Sequence, residues 1–316
     1  MTDQMAEFDL EPSGDRDSPY LVRVMTEEDL PAVVNIDRRG SGFSREQYLQ
    51  EKMASCTREP VINTSLLAVA DGNPVGFLMG QLFFGEFGIP ITRAVLDTLG
   101  VHPDFMHRGV GHALIEQFRK NMTSLRVEAI DTLLEWDRFD LLEFFRREGF
   151  HPANMVDLVW KIDKYPFAGP STHVAIRNAT ADDLRLVSEI DQEAMLVPRP
   201  QYFDARFQAT LRAPRKNVFL VAERQGELLG FMTGTLFAGE FGIQQTRGVI
   251  DSFSVRESAR HQSVGSAMIE DLLSRSHKAG IRQMETIVRW NNWELLQFFE
   301  YVGFRPSSRV NLELRL

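Results

Sequence analysis

Two stretches, GQLFFGEFGIPITRAVLDTLGV at 80–101 and GTLFAGEFGIQQTRGVIDSFSV at 234–255, are one segment written twice. Working outward from them, a shift of 154 positions lays residues 21–162 on 175–316 without a gap, and 48 of the 142 aligned positions are identical. A second clear match sets WDRFDLLEFFRREGFHP (136–152) against WNNWELLQFFEYVGFRP (290–306). A period this long is a whole domain, not a solenoid unit. A chain of 316 residues holds two domains of about 150 comfortably. The expected organisation is a disordered polar tail (1–19), a first domain (20–164), a linker (165–173) and a second domain (174–316). The linker contains YPFAGPST, whose two prolines and glycine suit neither helix nor strand.

Each copy opens with a strand, Tyr20–Met25 or Val174–Asn178, and then a helix begun by a capping threonine, Thr26 or Thr180, with acids in its first turn. SLLAVADGNPVGFLMGQLFF and VFLVAERQGELLGFMTGTLF read as two strands around a tight turn. In TRAVLDTLGV the alternation predicts that Arg93, Val95, Asp97, Leu99 and Val101 share one face of a strand. A glycine-bearing turn leads to a helix over Val110–Asn121. Then come a strand over Ala129–Glu135, a helix over Asp140–Arg147 stopped by Gly149, and a closing strand over Met155–Ile162. The order β-α-β-β-β-α-β-α-β predicts a mixed-sheet α/β domain, twice.

Composition narrows the function. Hydrophobic residues at 43% support two real cores, and the net charge of −9 argues against nucleic acid or an anionic membrane surface as partner. Cys56 is the sole cysteine, so no intramolecular disulfide or thiolate cluster forms; an inert small residue is its simplest reading. No metal site is expected: His107 and His261 match each other but lack ligand company. The acidic N-terminus does not read as a signal peptide, and no run of about 18 apolar residues occurs, which makes the cytoplasm the default location.

The chemistry-bearing motif is VHPDFMHRGVGHAL at 101–114, a strand end, a tight turn and a helix start. Glycines let the backbone approach a ligand, and the free N–H groups and dipole of a helix start suit a pyrophosphate. A dinucleotide-binding loop would carry three glycines after the first strand, and a Walker loop a Lys-Ser/Thr pair. Neither is present. What remains, Val-x-Pro followed by His-Arg-Gly-Val-Gly-His-Ala opening a helix, then an apolar strand and a helix ending in Gly-Phe, resembles the GNAT superfamily of N-acyltransferases over both repeats.

That resemblance implies a fold of two tandem GNAT-like domains and an acyl-CoA co-substrate, acetyl-CoA or another, whose pantetheine lies between splayed fourth and fifth strands. It implies main-chain bonds from Leu99 and Val101, and a pyrophosphate cradle from His107, Arg108, Gly109, Val110, Gly111, His112 and Ala113. In the second copy the matching residues are Val255, Gln262, Val264, Gly265, Ser266 and Ala267. The pattern departs at Met106, where Gln or Arg is usual. In the second copy Ser263 stands for the first glycine and Glu257 for the proline, so the first site is the better match.

Family members place a base on the fourth or fifth strand and a tyrosine on the last helix. Here the tyrosine position is Phe145 or Phe299, which cannot donate a proton. The catalytic candidates are Asp97, recurring as Asp251, and Glu135, whose counterpart is Arg289. Asp97 also reads as the ion-pair partner of Arg93, and Glu135 as a solvated strand-end acid. Glu86 and Glu240 in the repeated Gly-Glu-Phe-Gly turn read chiefly as turn structure, and Trp136 and Trp290 as core. The leading expectation is an acyl-CoA-dependent N-acyltransferase acting on an amine-bearing small molecule or a protein amine, by direct attack in a ternary complex. A non-catalytic acyl-CoA-binding or regulatory protein is the alternative. The chain would be a monomer with pseudo-dimeric halves or a homodimer.

Overall fold

The computed structural model describes residues 19–58, 64–84, 91–161, 173–195, 198–238 and 246–316. The tail, the junction at 165–172, Glu86, Glu240 and the Cys56 side chain lie outside the described residues. The first repeat forms β1 (Leu21–Val24), α1 (Leu30–Ser41), α2 (Glu46–Arg58), β2 (Leu66–Ala70), β3 (Asn73–Phe84) and β4 (Thr92–Val101). It continues with α3 (Val110–Ser124), β5 (Ala129–Glu135), α4 (Phe139–Arg147), β6 (His151–Pro152) and β7 (Met155–Lys161). The second forms β8 (Ala175–Asn178), α5 (Leu184–Ala194), α6 (Pro200–Arg212), β9 (Asn217–Arg224), β10 (Glu227–Ala238) and β11 (Thr246–Val255). It ends with α7 (Val264–Lys278), β12 (Gln283–Arg289), α8 (Trp293–Tyr301), β13 (Arg305–Pro306) and β14 (Arg309–Arg315). The mixed α/β class holds for both halves. The sequence reading allowed one helix before the hairpin where there are two. α2 and α6 were missed because each buries a narrow stripe, Tyr48, Leu49 and Met53 or Tyr202, Phe203 and Phe207, on an otherwise polar helix.

Both threonine starts form capping boxes. Thr26 N–H donates to Asp29 Oδ2 at 2.8 Å and Thr180 N–H to Asp183 Oδ2 at 2.7 Å. Arg23 and Arg177 each add a bidentate pair to the same acid. The Arg177 hydrogen bonds hold the Asp183 carboxyl at about 2, and Arg23 lowers that of Asp29. A depressed acid stabilises the folded state above its unfolded value of 3.8 and loses that contribution as pH falls through the folded value. Asp183→Asn is therefore expected to lose about 1 kcal/mol at pH 6, a figure discounted for the solvent-exposed Arg177, and to show a shallower decline between pH 4 and 2 than wild type. Thermal melts across that range check it.

The closing strand of each copy forms as predicted but enters the other copy's sheet. One sheet runs β1-β2-β3-β4-β5-β14-β6 and the other β13-β7-β12-β11-β10-β9-β8. β14 pairs antiparallel with β5 from Arg309↔Glu135 to Arg315↔Ala129, and β7 with β12 from Met155↔Arg289 to Lys161↔Gln283. Each core is completed by the exchange. Val310, Leu312 and Leu314 pack with Leu114, Phe118 and Ile130, while Val156, Leu158 and Trp160 pack with Met268, Leu272 and Val288. The seam is ionic as well: the buried Arg309 guanidinium reaches Asp157 at 2.7 Å and Glu285 at 2.6 Å.

Candidate active site

β4 pairs with β3 along its length, with one irregularity. Leu96 faces Gly80 and Thr98 faces Met79, which leaves Asp97 as a bulged extra residue. Ala94 and Leu96 before the bulge and Leu99 and Val101 after it therefore enter the same core. The predicted single face from Arg93 through Val101 is broken at Asp97. The bulge also explains an aspartate in mid-strand, where a regular ladder disfavours it.

β4 and β5 run parallel only across Arg93↔Ala129, Ala94↔Ile130 and Val95↔Asp131. A last link is Thr132 Oγ1 donating to the Leu96 carbonyl at 3.0 Å. Beyond it β5 follows β14 to Glu135 and the two strands part. His102 N–H donates to the Val75 carbonyl on β3 at 2.8 Å. Main-chain groups alternate sides along a strand, so those of Leu99 and Val101 face away from β3, into the fork. The second half repeats this: pairing ends at Ile250↔Thr286, Asp251 is bulged, and Arg256 N–H bonds Leu229, which turns Phe253 and Val255 to the open side.

The turn after β4 places His107 (φ 58°) and Gly109 (φ 88°) in the left-handed region. Alternation of this kind curls successive N–H groups into an anion-binding concavity. Gly109 carries no side chain to cap α3, and a Cβ built on it would meet no atom within 4 Å. The donors of Val110, Gly111 and His112 thus lie at an uncapped helix start. Ala113 is a correction: its N–H already donates to the Gly109 carbonyl at 3.0 Å, as that of Ala267 does to Ser263. Tyr20, on no motif, fixes the loop by donating to the Arg108 carbonyl at 2.8 Å. The Arg108 guanidinium lies 5.6 Å from the Phe105 ring, and His112 Nδ1 lies 2.9 Å from Glu148.

Ser263 (φ 61°) follows the same backbone path as Gly109, so the second loop keeps its trace at the cost of a Cβ. Gln262 there is occupied by Arg224 and by the Ser258 carbonyl, both at 2.8 Å. Phe253, the counterpart of Leu99, lies flat on Phe298 with centroids 5.2 Å apart, and both rings crowd Gly265. Beside Val255, Val264, Ser266 and Ala267, this stack sets two rings where the first half has Leu99 and Phe144.

Asp97 does not pair with Arg93. Lys52 Nζ, on α2, sits 2.9 Å from its Oδ2, while Arg93 binds Asp131 and Glu313. The pair recurs as Arg206 with Asp251, where burial pushes the carboxyl up against the pull of Arg206. Both pairs staple a helix to a bulge. Glu135 ends β5 half-buried, opposite Arg309 in register. Among the described residues its carboxylate has no ion pair. Phe145 and Phe299 are core, and Trp136 and Trp290 are not: they stand 56% and 52% exposed at the β5–α4 and β12–α8 turns. No group of three potential metal ligands occurs among the described residues, and no helix there is long and apolar enough to cross a membrane.

Comparison with known proteins fits this geometry. Residues 63–152 match the profile described as acetyltransferase (GNAT) domain, and residues 184–304 match that of the acetyltransferase (GNAT) family. Each match stops short of the exchanged strand. The solved structure of a GCN5-related N-acetyltransferase from Sphaerobacter thermophilus is similar at TM-score 0.67 and 17% identity, covering 94% of this chain and 96% of that one. A tandem GNAT protein from the clavulanic acid biosynthesis pathway gives 0.66 and 17%, covering 94% and 98%. A GCN5-related N-acetyltransferase from Kribbella flavida gives 0.55 and 15%, covering 94% and 71%. Identities this low speak for the fold alone. With two family matches spanning most of both repeats, the chain belongs to the GNAT superfamily of acetyltransferases and carries two such domains in tandem.

Proposed function

We propose that the chain is an N-acyltransferase that uses acetyl-CoA or another acyl-CoA, with its working cleft in the first half. The observation that carries this reading is the meeting of two features: the open edge of β4 at Leu99 and Val101, and the uncapped start of α3 at Gly109–His112. Donors at a helix start suit a diphosphate, and a strand edge without a partner suits an extended amide chain. A thioester held there would supply the acyl group.

The chain's own residues then have separable tasks. Main-chain donors at His107–His112 hold negative charge, and the main chain of Leu99 and Val101 aligns the amide-bearing arm. Glu135, the strand-end carboxylate with no ion pair among the described residues, accepts the proton of the incoming ammonium. Asp97, tied to Lys52, shapes the acceptor side of the fork and is the weaker candidate for a base. The acceptor is a primary amine on a small molecule or a protein. Phe145 contributes no proton to the departing thiolate, which takes it from solvent.

A second reading, a binding or regulatory protein without turnover, is favoured by that same Phe145 and by Phe299. Calorimetric titration with coenzyme A and a thiol-release assay over a panel of amines separate the two. The expected result is one coenzyme per chain, with release for some amines, and a fall in kcat of about 10²–10³ in Glu135→Gln at unchanged coenzyme affinity. Binding without release for any amine would establish the regulatory reading, and two coenzymes per chain would overturn the preference for the first cleft.

A further inference from the structure

The fork between β4 and β5 has a foot, and that foot is tied by three strands. Arg93, on β4, binds the carboxylate of Asp131, the last β5 residue to pair with β4. The same guanidinium takes Oε2 of Glu313 at 2.5 Å, and Glu313 stands opposite Asp131 on β14. All three side chains are largely buried. Arg315 closes the set with a 2.9 Å contact to the other oxygen of Glu313, so its charges sum to zero. Burial raises the Glu313 carboxyl, but hydrogen bonds from Arg315 and Arg93 outweigh it and keep the group below its ordinary value.

The second fork is tied differently. Arg247 and Glu285 repeat the Arg93–Asp131 pair, at 2.8 Å, but the β7 residue opposite Glu285 is Val159. The place of the third ligand is taken by Arg309, which reaches Glu285 at 2.6 Å. One strand, β14, therefore supplies Glu313 to the first fork and Arg309, four residues earlier, to the second. It is the last strand of the second repeat, and its apolar face fills the first core.

We propose that Glu313 is a positioning residue of the first cleft, and that through β14 the second repeat acts as a built-in subunit setting the angle at which β4 and β5 part. This rests on the reading of the first half as the coenzyme site. Without the Glu313 carboxylate, Arg93 holds Asp131 alone and β14 loses its only charged grip on β4 among the described residues. β4, released from β14, then shifts at the foot of the fork while β5 and Glu135 stay paired with β14, and the open edge at Leu99 and Val101 moves relative to the α3 start. A ligand spanning both loses affinity. The chemical step, which depends on groups further along the fork, is spared.

The test uses the full chain carrying Glu313→Gln, which keeps the shape and removes the charge, with Arg185→Gln at an exposed position of α5 as a control for loss of an ordinary surface pair. Expected in E313Q are a coenzyme A dissociation constant and an acyl-donor KM raised about tenfold, kcat within about twofold, and faster hydrogen exchange at Leu96–Val101. Glu313→Asp should recover part of the affinity, and R185Q should match wild type. A folded E313Q with wild-type coenzyme affinity and wild-type exchange at Leu96–Val101 would overturn the proposal. If E313Q does not fold, Arg93→Lys, which keeps the charge but cannot fork between two carboxylates, is read in the same way. A wild type that binds no coenzyme A refutes the acyl-CoA reading instead, while exchange at Leu96–Val101 still reports on the tie.

Discussion

Replacing Gly111 with glutamate is expected to remove coenzyme A binding from the chain, with no heat in a calorimetric titration at concentrations that saturate wild type. Gly111 is the second residue of α3, at the uncapped start, and a Cβ there would already come to 3.1 Å from the Phe144 ring. The longer side chain must displace Phe144 or push out over the first turn of α3, and its carboxylate then stands beside the donors that would hold a diphosphate. Two effects add: lost access to the donors of Val110–His112, and a like charge at close range. A loss of more than about 4 kcal/mol, or a thousandfold, is expected. Gly265→Glu, at the matching place in the second half, should leave coenzyme affinity at the first cleft unchanged, although the crowding by Phe253 and Phe298 makes it cost stability in that half. Unchanged affinity in G111E would remove the coenzyme from this turn, and loss of binding in G265E instead would move it to the other half.

The second large effect concerns chain connectivity. Ending the chain at Ser308 deletes only residues of the second repeat, yet the first half is expected to unfold. The cut removes Val310, Leu312 and Leu314, each less than a tenth exposed in the first core. At about 1.5–3 kcal/mol for each buried side chain, the loss is roughly 5–9 kcal/mol, comparable to the whole stability of a typical domain. β5 and β6 also lose the strand between them, and Arg93 loses Glu313. Limited proteolysis should cut within 21–152 while the second half, which gives up Arg309 from its seam but keeps its own apolar core, resists longer. A first half as resistant as in the full chain would show that the exchange carries little of the stability.

Much of this was legible in the residues. The 154-residue period announced two like domains, and the paired stretches at 80–101 and 234–255 located their central strands. The helix start at 110 was read from Gly109 and Gly111, and Gly149 takes the left-handed φ of 90° that its place after α4 predicted. The bulge at Asp97 was not read, although its recurrence as Asp251 in the same strand position was the available signal. An acid at mid-strand in both copies asks for a local break in the ladder and a cation nearby. The cations, Lys52 and Arg206, lie in the helices that the periodicity failed to show, 45 residues away in each copy. Trp136 and Trp290 misled because large aromatics usually bury, whereas their turn faces solvent.

What the sequence by itself determined was most of the elements, α2 and α6 excepted, their duplication and the turn that opens α3, because these follow from periodicities and glycine conformations within about 20 residues. What only the tertiary structure decided was ownership. Whether β7 and β14 close their own sheets or each other's depends on a junction and on long-range partners. A strand such as Met155–Lys161 fits beside the fifth strand of either sheet equally well. The choice is made where Arg309 meets Asp157 and Glu285, and Glu313 meets Arg93. The pairs of Arg309 with Asp157 and of Glu313 with Arg93 cross between the repeats, and no local pattern carries them.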